Sequence, residues 1–138
     1  IASAAGTDIF EIRPETPYTE ADIKWMNPLA RCNKEKIGKK DVPIAGRVDN
    51  ISDYSVVFLG FPIWYYNAPN IIATFLKQYD FSGKKIVLFA TSGGSGLGKT
   101  AETLKKYVSD STVIVDGKLF NGVPSESELK NWANSFTK

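Results

Sequence analysis

The fold is decided by residues 55–69, which read SVVFLGFPIWYYNAP. The apolar run at 56–59 is typical of a strand buried on both faces, as in a parallel sheet. An aromatic loop follows, and Pro69 is well placed in the first turn of a helix. This stretch therefore predicts a buried strand, a loop suited to a ligand and a helix, in that order.

A second buried strand, at residues 86–90, leads into a glycine-rich loop, TSGGSGLG at 91–98. Neighbouring parallel strands end at the same edge of a sheet, where open α/β sheets bind their ligands. We therefore expect the aromatic loop and the glycine loop to lie side by side.

The rest of the chain continues the alternation of strands and helices. A third apolar strand is predicted at 113–115, and helices are predicted over 71–79, from about Gly98 to 108, and after a capping box at Ser125 and Glu128. This order predicts an α/β fold with a doubly wound parallel sheet in three layers, α/β/α, as one domain over 1–138. Alternating apolar residues predict a further short strand at 7–13, and Thr19 is a plausible N-cap for a short helix through Trp25.

The composition is that of an ordinary globular domain and excludes several kinds of site. Of the 138 residues 43% are hydrophobic, and the net charge of +2 is too small to indicate a nucleic-acid partner. No apolar run approaches the ~20 residues of a membrane span. With no histidine and one cysteine, Cys32, a zinc site or a Ser-His-Asp triad is close to excluded. The lone cysteine fits a reducing compartment, so we expect a cytoplasmic protein without a membrane partner.

The two loops together suit a flat cofactor with a polar edge, such as a flavin. Trp64 and Tyr65 can stack on the ring, and such stacking contributes ~0.5–1.5 kcal/mol beyond burial. Asn67 and Ala68 are expected to turn the chain there, since asparagine tolerates left-handed geometry. The glycines of the second loop let backbone N–H groups approach the ligand closely.

Other interpretations of the two loops remain open from the residues alone. Residues 93–100, GGSGLGKT, fit the phosphate-loop expression of nucleotide triphosphatases, although no strand ending in Asp is evident to hold magnesium. The aromatic residues could also be ordinary core or interface side chains, and the glycine loop an ordinary connection. We expect Trp25 and Trp132 to serve packing, and Cys32 to be an inert thiol.

The run of motifs resembles the flavodoxin-like FMN-binding proteins, from the bacterial branch with a Pro-x-Trp-aromatic loop. The resemblance covers nearly the whole chain and rests on residues 60–69, 74–76, 79–84, 88–96, 98, 118–119 and 121–122, with similar residues at 18–19, 21–23 and 25. It implies a five-stranded sheet of order 2-1-3-4-5 with FMN at the switch point. It also accounts for the GGSGLGKT octet as part of a flavin loop.

The resemblance assigns two sets of residues to the cofactor. The ring would be lined by Pro62, Ile63, Trp64, Tyr65, Tyr66, Asn67 and Ala68. The pyrimidine edge would be held by Thr91, Ser92, Gly93, Gly94, Ser95 and Gly96. No catalytic acid or base and no metal ligand is nominated, because the flavin would carry the chemistry.

The family's first strand and phosphate loop should precede residue 1, since residues 1–6 look like the end of a helix capped by Gly6. Without that loop we expect weak or absent FMN binding by this chain. Without that strand we expect open edges at 7–13 and 55–60, which invite pairing with a second copy. We therefore expect one of three situations. The first strand and the phosphate loop belong to a longer natural chain, a second copy of the chain fills the place of the strand in a homodimer, or the two loops persist in a fold without flavin.

The leading functional prediction is an FMN-binding electron-transfer protein with an unidentified redox partner. The alternative from another class is an FMN-dependent NAD(P)H reductase of quinones, which steady NADPH oxidation by the FMN-loaded protein would favour. The mild positive charge slightly weakens the carrier interpretation, because flavodoxins are usually acidic. A flavin-free structural or interaction module is the third possibility.

Overall fold

Strands and helices alternate through the second half of the chain. The computed structural model describes residues 1–37, 41–94 and 96–137. The strands are β1 (Arg13–Pro14), β2 (Ile44–Ala45), β3 (Val56–Pro62), β4 (Lys85–Thr91) and β5 (Val113–Leu119). The α-helices are α1 (Ala2–Ala5), α2 (Arg31–Ile37), α3 (Asn70–Gln78), α4 (Thr100–Leu104) and α5 (Glu126–Thr137). Three 3-10 turns, Ala21–Ile23, Ile51–Asp53 and Lys105–Tyr107, complete the regular structure of the described residues.

The centre of the fold is a parallel sheet of order β3-β4-β5. β3 and β4 stay in unbroken register from Val56 opposite Lys85 to Pro62 opposite Thr91. β4 and β5 are also parallel, with one irregularity between Leu88 and Phe89. The three predicted parallel strands are therefore confirmed, and their carboxyl ends lie at one edge of the sheet.

Helices cover both faces of this sheet. On one face, side chains of β3 and β4 such as Leu59 and Leu88 join the core that α3 completes with Phe75 and Leu76. On the other face, Phe58 and Phe89 pack against Trp132 of α5, with ring centroids 5.6 and 6.3 Å apart. Helix α1 packs on α5, and Gly6 ends α1 in the left-handed conformation, as predicted. The α/β/α layering predicted from the sequence is confirmed.

The predicted strand at 7–13 is wrong. Only Arg13 and Pro14 form a ladder, and they pair antiparallel with β2, outside the main sheet. The apolar alternation at 7–13 is misleading because Ile9 is 84% exposed, and no strand in the described ranges takes up the backbone hydrogen bonds of residues 7–12.

The predicted helix from Thr19 through Trp25 is shorter than expected, a single 3-10 turn at Ala21–Ile23. Thr19 does act at its start, since the Asp22 N–H donates to Thr19 Oγ1 (3.2 Å) and the Thr19 N–H donates to Asp22 Oδ2 (2.9 Å).

No helix among the described residues has the length and apolar character needed to cross a membrane.

Candidate functional site

The aromatic loop and the glycine loop meet at the carboxyl edge of the sheet. The Ile63 N–H donates to the Thr91 carbonyl (2.8 Å), which joins the two loops at their first residues. The Phe120 N–H donates to the Ala90 carbonyl (2.8 Å) and brings the segment after β5 to the same edge. The expected juxtaposition of the two loops is thus present in the structure.

The aromatic loop contains a tight and strained turn. The N–H and carbonyl groups of Trp64 and Asn67 bond to each other at 2.8 and 3.0 Å, which closes a two-residue turn. The central residues, Tyr65 and Tyr66, have φ of 52° and 64°, a region that bulky residues seldom adopt. The expectation that Asn67 and Ala68 make the turn is wrong. The side chain of Asn67 instead caps the exit of the turn, accepting the Ala68 N–H at 3.0 Å.

Two clefts open at this edge, and the first lies over the ends of all three strands. It has a volume of about 570 Å³, within the range of small-molecule sites. Its lining is Pro62, Ile63, Trp64, Thr91, Ser92, Gly93, Phe120, Asn121, Gly122 and Val123. The last four of these residues were not predicted as site residues from the sequence. The turn-forming pair Asn121-Gly122, one residue beyond the end of β5, was the signal that could have found them.

The second cleft lies beside the aromatic turn and has a volume of about 400 Å³. Its lining is Ile23, Trp25, Cys32, Ile63, Trp64, Tyr65, Tyr66, Ser92, Gly93 and Gly94. The two clefts share Ile63, Trp64, Ser92 and Gly93, so these residues form a common wall between them.

Trp25 was expected to serve packing, and that expectation is wrong. Its side chain is 67% exposed and lines the second cleft. Buried Asn33 holds this segment, because its Nδ2 donates to the carbonyls of Trp25 (2.8 Å) and Asn27 (2.6 Å). Trp132, by contrast, packs among aromatic rings as predicted.

Most of the predicted cofactor residues line these clefts, and a few do not. Pro62 to Tyr66 and Thr91 to Gly94 all contribute. Asn67, Ala68 and Gly96 line neither cleft, since Ala68 is buried in the core and Asn67 serves the turn. Ser95 lies outside the described residues.

The glycine loop presents backbone to the common wall. The Ser92 N–H donates to Asn121 Oδ1 (2.7 Å), and the Gly94 N–H donates to Ser92 Oγ (3.2 Å). Within residues 41–94 and 96–137, no protein acceptor takes the Gly93 N–H. A Cβ built on Gly93 meets no atom within 4 Å. The loop therefore offers an accessible donor and an open approach, as a ligand with acceptor atoms along one edge requires.

The clefts are uncharged. Neither is lined by an Asp, Glu, Lys or Arg side chain in the part of the chain that the structure describes. In the same residues no group of three potential metal ligands occurs. The nearest titratable pair is Cys32 and Tyr65, with Sγ 4.0 Å from Oη. Burial, followed by this contact, raises the pKa of the Tyr65 phenol, so the group remains neutral. The arrangement suits a flat, largely apolar ligand.

Comparison with known proteins identifies the family. The sequence model of the family described as Flavodoxin matches residues 1–136, and the chain belongs to the flavodoxin family. No curated protein matches it.

Solved structures agree with this assignment. The chain is similar to a candidate flavoprotein from Bacteroides eggerthii, with 38% identity and a TM-score of 0.88 over 99% of this chain and 86% of that chain. A candidate flavoprotein from Bacteroides uniformis is 32% identical, with a TM-score of 0.86 over 96% of this chain and 85% of that chain. A Lactobacillus acidophilus flavoprotein in complex with FMN shares the fold at 20% identity and a TM-score of 0.52, over 74% and 65% of the two chains. The predicted flavodoxin-like fold is confirmed.

Proposed function

We propose that this chain is an FMN-binding electron-transfer protein whose flavin ring lies in the second cleft. The observation that carries the proposal is the lining of that cleft. Aromatic side chains from two separate segments, Trp64 and Tyr65 on one and Trp25 on the other, share it with the backbone of residues 92–94. Family membership and the FMN complex of the Lactobacillus relative support the choice of ligand.

The residues present fit the two sides of a flavin ring. Its flat apolar body matches Trp64, Tyr65 and Trp25, and its acceptor-bearing edge matches the Gly93 N–H. When bound, the flavin supplies one- or two-electron transfer. The protein's own part is to stack on the ring, donate to its edge and keep charged side chains away from it.

Contacts to the flavin ring should contribute more to the affinity for FMN than contacts to its phosphate. No lysine or arginine lines either cleft among the described residues, so a phosphate has no cationic side chain there to pair with. We expect this chain to bind FMN weakly, with Kd above about 1 µM. Riboflavin, which lacks the phosphate, should bind within about threefold of FMN, a difference under 1 kcal/mol.

Titration of flavin fluorescence quenching tests the proposal. Saturable quenching by the wild-type chain is expected. Trp64→Ala should raise Kd about two- to tenfold through lost stacking, while Trp64→Phe keeps a ring and should raise it less. Absence of quenching with both ligands, or equal Kd for all three proteins, contradicts the ring site.

The reductase alternative draws support from the first cleft. This cleft shares a wall with the proposed ring site and has room for a second small molecule, such as a nicotinamide or a quinone. Steady NADPH oxidation by the FMN-loaded protein, faster with a quinone present, would establish the reductase. Without such turnover, a redox protein is the partner.

The proposal extends to location and partners. The single cysteine, buried at position 32, supports a reducing cytoplasmic compartment. The small net charge supports a protein without a nucleic-acid partner. The proposal includes a second copy of the chain as a partner, paired along the sheet edge.

A further inference from the structure

The indole of Trp64 is contacted from outside the two loops. Tyr18 lies 46 residues earlier in the chain and lines neither cleft. Its ring meets Trp64 edge to face, with centroids 5.5 Å apart and planes at 83°. This is a preferred geometry for aromatic pairs, and it restricts the orientation of the indole.

Tyr18 is itself fixed from two directions. Its hydroxyl donates to Glu35 Oε2 at 2.5 Å. The Arg31 guanidinium lies over its ring, with Cζ 4.2 Å from the centroid. Tyr18 therefore has a hydrogen bond at its tip and a cation on its face, while its ring contacts Trp64.

The two charged residues behind Tyr18 complete a closed network. Arg31 Nε donates to Glu35 Oε1 at 2.7 Å, and Arg31 Nη1 donates to the Thr16 carbonyl at 2.6 Å. Their side chains are only 23% and 13% exposed, so solvent competes weakly for these bonds. Because Arg31 and Glu35 neutralise each other, the network can hold Tyr18 without adding net charge beside the cleft.

The hydroxyl of Tyr18 keeps its proton through the neutral and mildly alkaline range. Burial, followed by the hydrogen bond to Glu35, raises the pKa of this phenol above its usual value. The donor that anchors Tyr18 to α2 is thus available over the whole range in which flavin binding would be measured.

We infer that Tyr18 is a positioning residue, held by Glu35 and Arg31, that orients the Trp64 indole for stacking on the flavin ring. The inference rests on the proposed function. It adds Tyr18 and two residues of α2 to the residues that shape the flavin site. Neither loop by itself indicates this contribution.

A double-mutant cycle on flavin affinity tests this role. Tyr18→Leu removes the edge contact and should raise the Kd for FMN about two- to tenfold. Tyr18→Phe removes only the hydroxyl and should raise it less. In a Trp64→Ala background neither change should raise Kd further, because the orientation of the indole no longer matters. Equal effects in both backgrounds, or none in either, overturn the inference.

Tyr54→Phe is the matched control. Tyr54 also donates to a carboxylate, that of Asp8, but it lies at the other end of β3, away from both clefts. This variant loses the same kind of bond and should leave Kd unchanged. A change as large as that of Tyr18→Phe would reveal a general loss of stability and count against positioning.

The Trp64 indole N–H resonance, assigned with Trp64→Phe, provides a readout without flavin. Tyr18→Phe should shift or broaden this resonance in the ligand-free protein, and Tyr54→Phe should not. If wild type binds no flavin, the proposed function fails, and the inferred role toward the ring fails with it. A shifted resonance would then show only that Tyr18 orients Trp64. An unmoved resonance would overturn the positioning of Trp64 even if flavin binds.

Discussion

Tyr65 and Tyr66 stand in the left-handed region of backbone conformation at the wall of the proposed ring site. Left-handed geometry costs roughly 1–2 kcal/mol per residue outside glycine. Such strain persists where the surrounding structure imposes it, and it concentrates at functional sites. Here the two backbone bonds between Trp64 and Asn67 close the turn around the tyrosines.

Relief of this strain should stabilise the protein. Tyr66→Gly is expected to raise the free energy of unfolding by about 1 kcal/mol, because Tyr66 is 79% exposed and loses little burial. Urea denaturation measures the change. Tyr66→Ala keeps the Cβ and should give no gain. A Tyr66→Gly protein less stable than wild type would show that the side chain supports the turn.

Substitution of Gly93 should change ligand affinity much more than the stability of the fold. A Cβ there meets nothing within 4 Å in the ligand-free structure, so Gly93→Val should change the free energy of unfolding by less than about 1 kcal/mol. The added side chain would block the approach to the exposed N–H, and FMN affinity should fall at least about tenfold, or 1.4 kcal/mol.

Gly122→Val is the control for Gly93→Val. Gly122 also has open space at its Cβ but lines only the first cleft. Its substitution should spare flavin binding. Because Gly93 lines both clefts, a loss of affinity in both variants would place the ring in the first cleft.

Two of the residues that line the second cleft could not have been found from the sequence. Ile23 and Trp25 reach the site because Asn33 holds their segment beside α2, a contact between parts of the chain without local periodicity. The loops at Pro62 and Thr91 could be predicted, since each directly follows a recognisable strand. The two-tyrosine turn could not, because local preference disfavours left-handed tyrosine.

At the scale of elements, β5 depends on a glycine. The register with β4 passes from Leu88 opposite Asp116 to Phe89 opposite Lys118, which leaves Gly117 as the extra residue of a bulge. A Cβ on Gly117 would lie 2.0 Å from the Leu88 carbonyl oxygen and 2.8 Å from Trp132 Cζ2. The nearest clashing atom is a backbone oxygen, which cannot move aside as the end of a flexible side chain could.

Gly117→Ala should therefore lower the free energy of unfolding by at least about 2 kcal/mol, through overpacking and displacement of α5. Thermal and urea denaturation measure the loss. Gly83 provides a comparison in which strain acts without a clash, since a Cβ there meets no atom within 4 Å but φ is +73°. Gly83→Ala should therefore cost less. Equal losses would mean that the bulge yields to the added methyl.

The apolar runs predicted the three parallel strands because helices cover both faces of the sheet. Burial is fullest in β4, where Ile86, Val87 and Leu88 are inaccessible to solvent, whereas β5 has no buried residue. β3 extends beyond the predicted 55–60 to Pro62, since pairing with β4 continues through Phe61. At Gly60 a Cβ would come within 2.3 Å of the Phe89 ring, a constraint from a different strand. At residues 7–12, by contrast, apolar residues alternate, but no strand in the described part of the chain pairs with them and no sheet forms.

At the scale of the whole molecule, the main sheet has an open side. Among the described residues no strand pairs with the outer edge of β3. The Lys85 N–H donates to Ser55, and the Ile63 N–H donates to Thr91, so the odd-numbered residues of β3 bond to β4 and the even-numbered ones face outward. An edge of this kind is a template for another strand.

We expect the chain to form a homodimer through this edge. Light scattering coupled to size exclusion should show mass rising with concentration from the 15.2 kDa of one chain toward about twice that value. Val56→Pro removes an outward N–H at the first residue of β3, where proline is tolerated, and should weaken the dimer. Val56→Thr keeps the N–H and should not. A monomer at all concentrations contradicts the edge-paired dimer.

The three tryptophans lie in three different surroundings. Trp132 lies within 5.2–6.3 Å of four phenylalanine rings, Trp64 stands in the common wall, and Trp25 is largely exposed. The chain consequently carries its own optical probes. Blue-shifted emission from Trp132 would follow the melting of the whole domain, whereas emission from Trp64 and Trp25 would dim as a chromophore enters the cleft. One emission spectrum, resolved into these components, separates ligand arrival from unfolding without any added label.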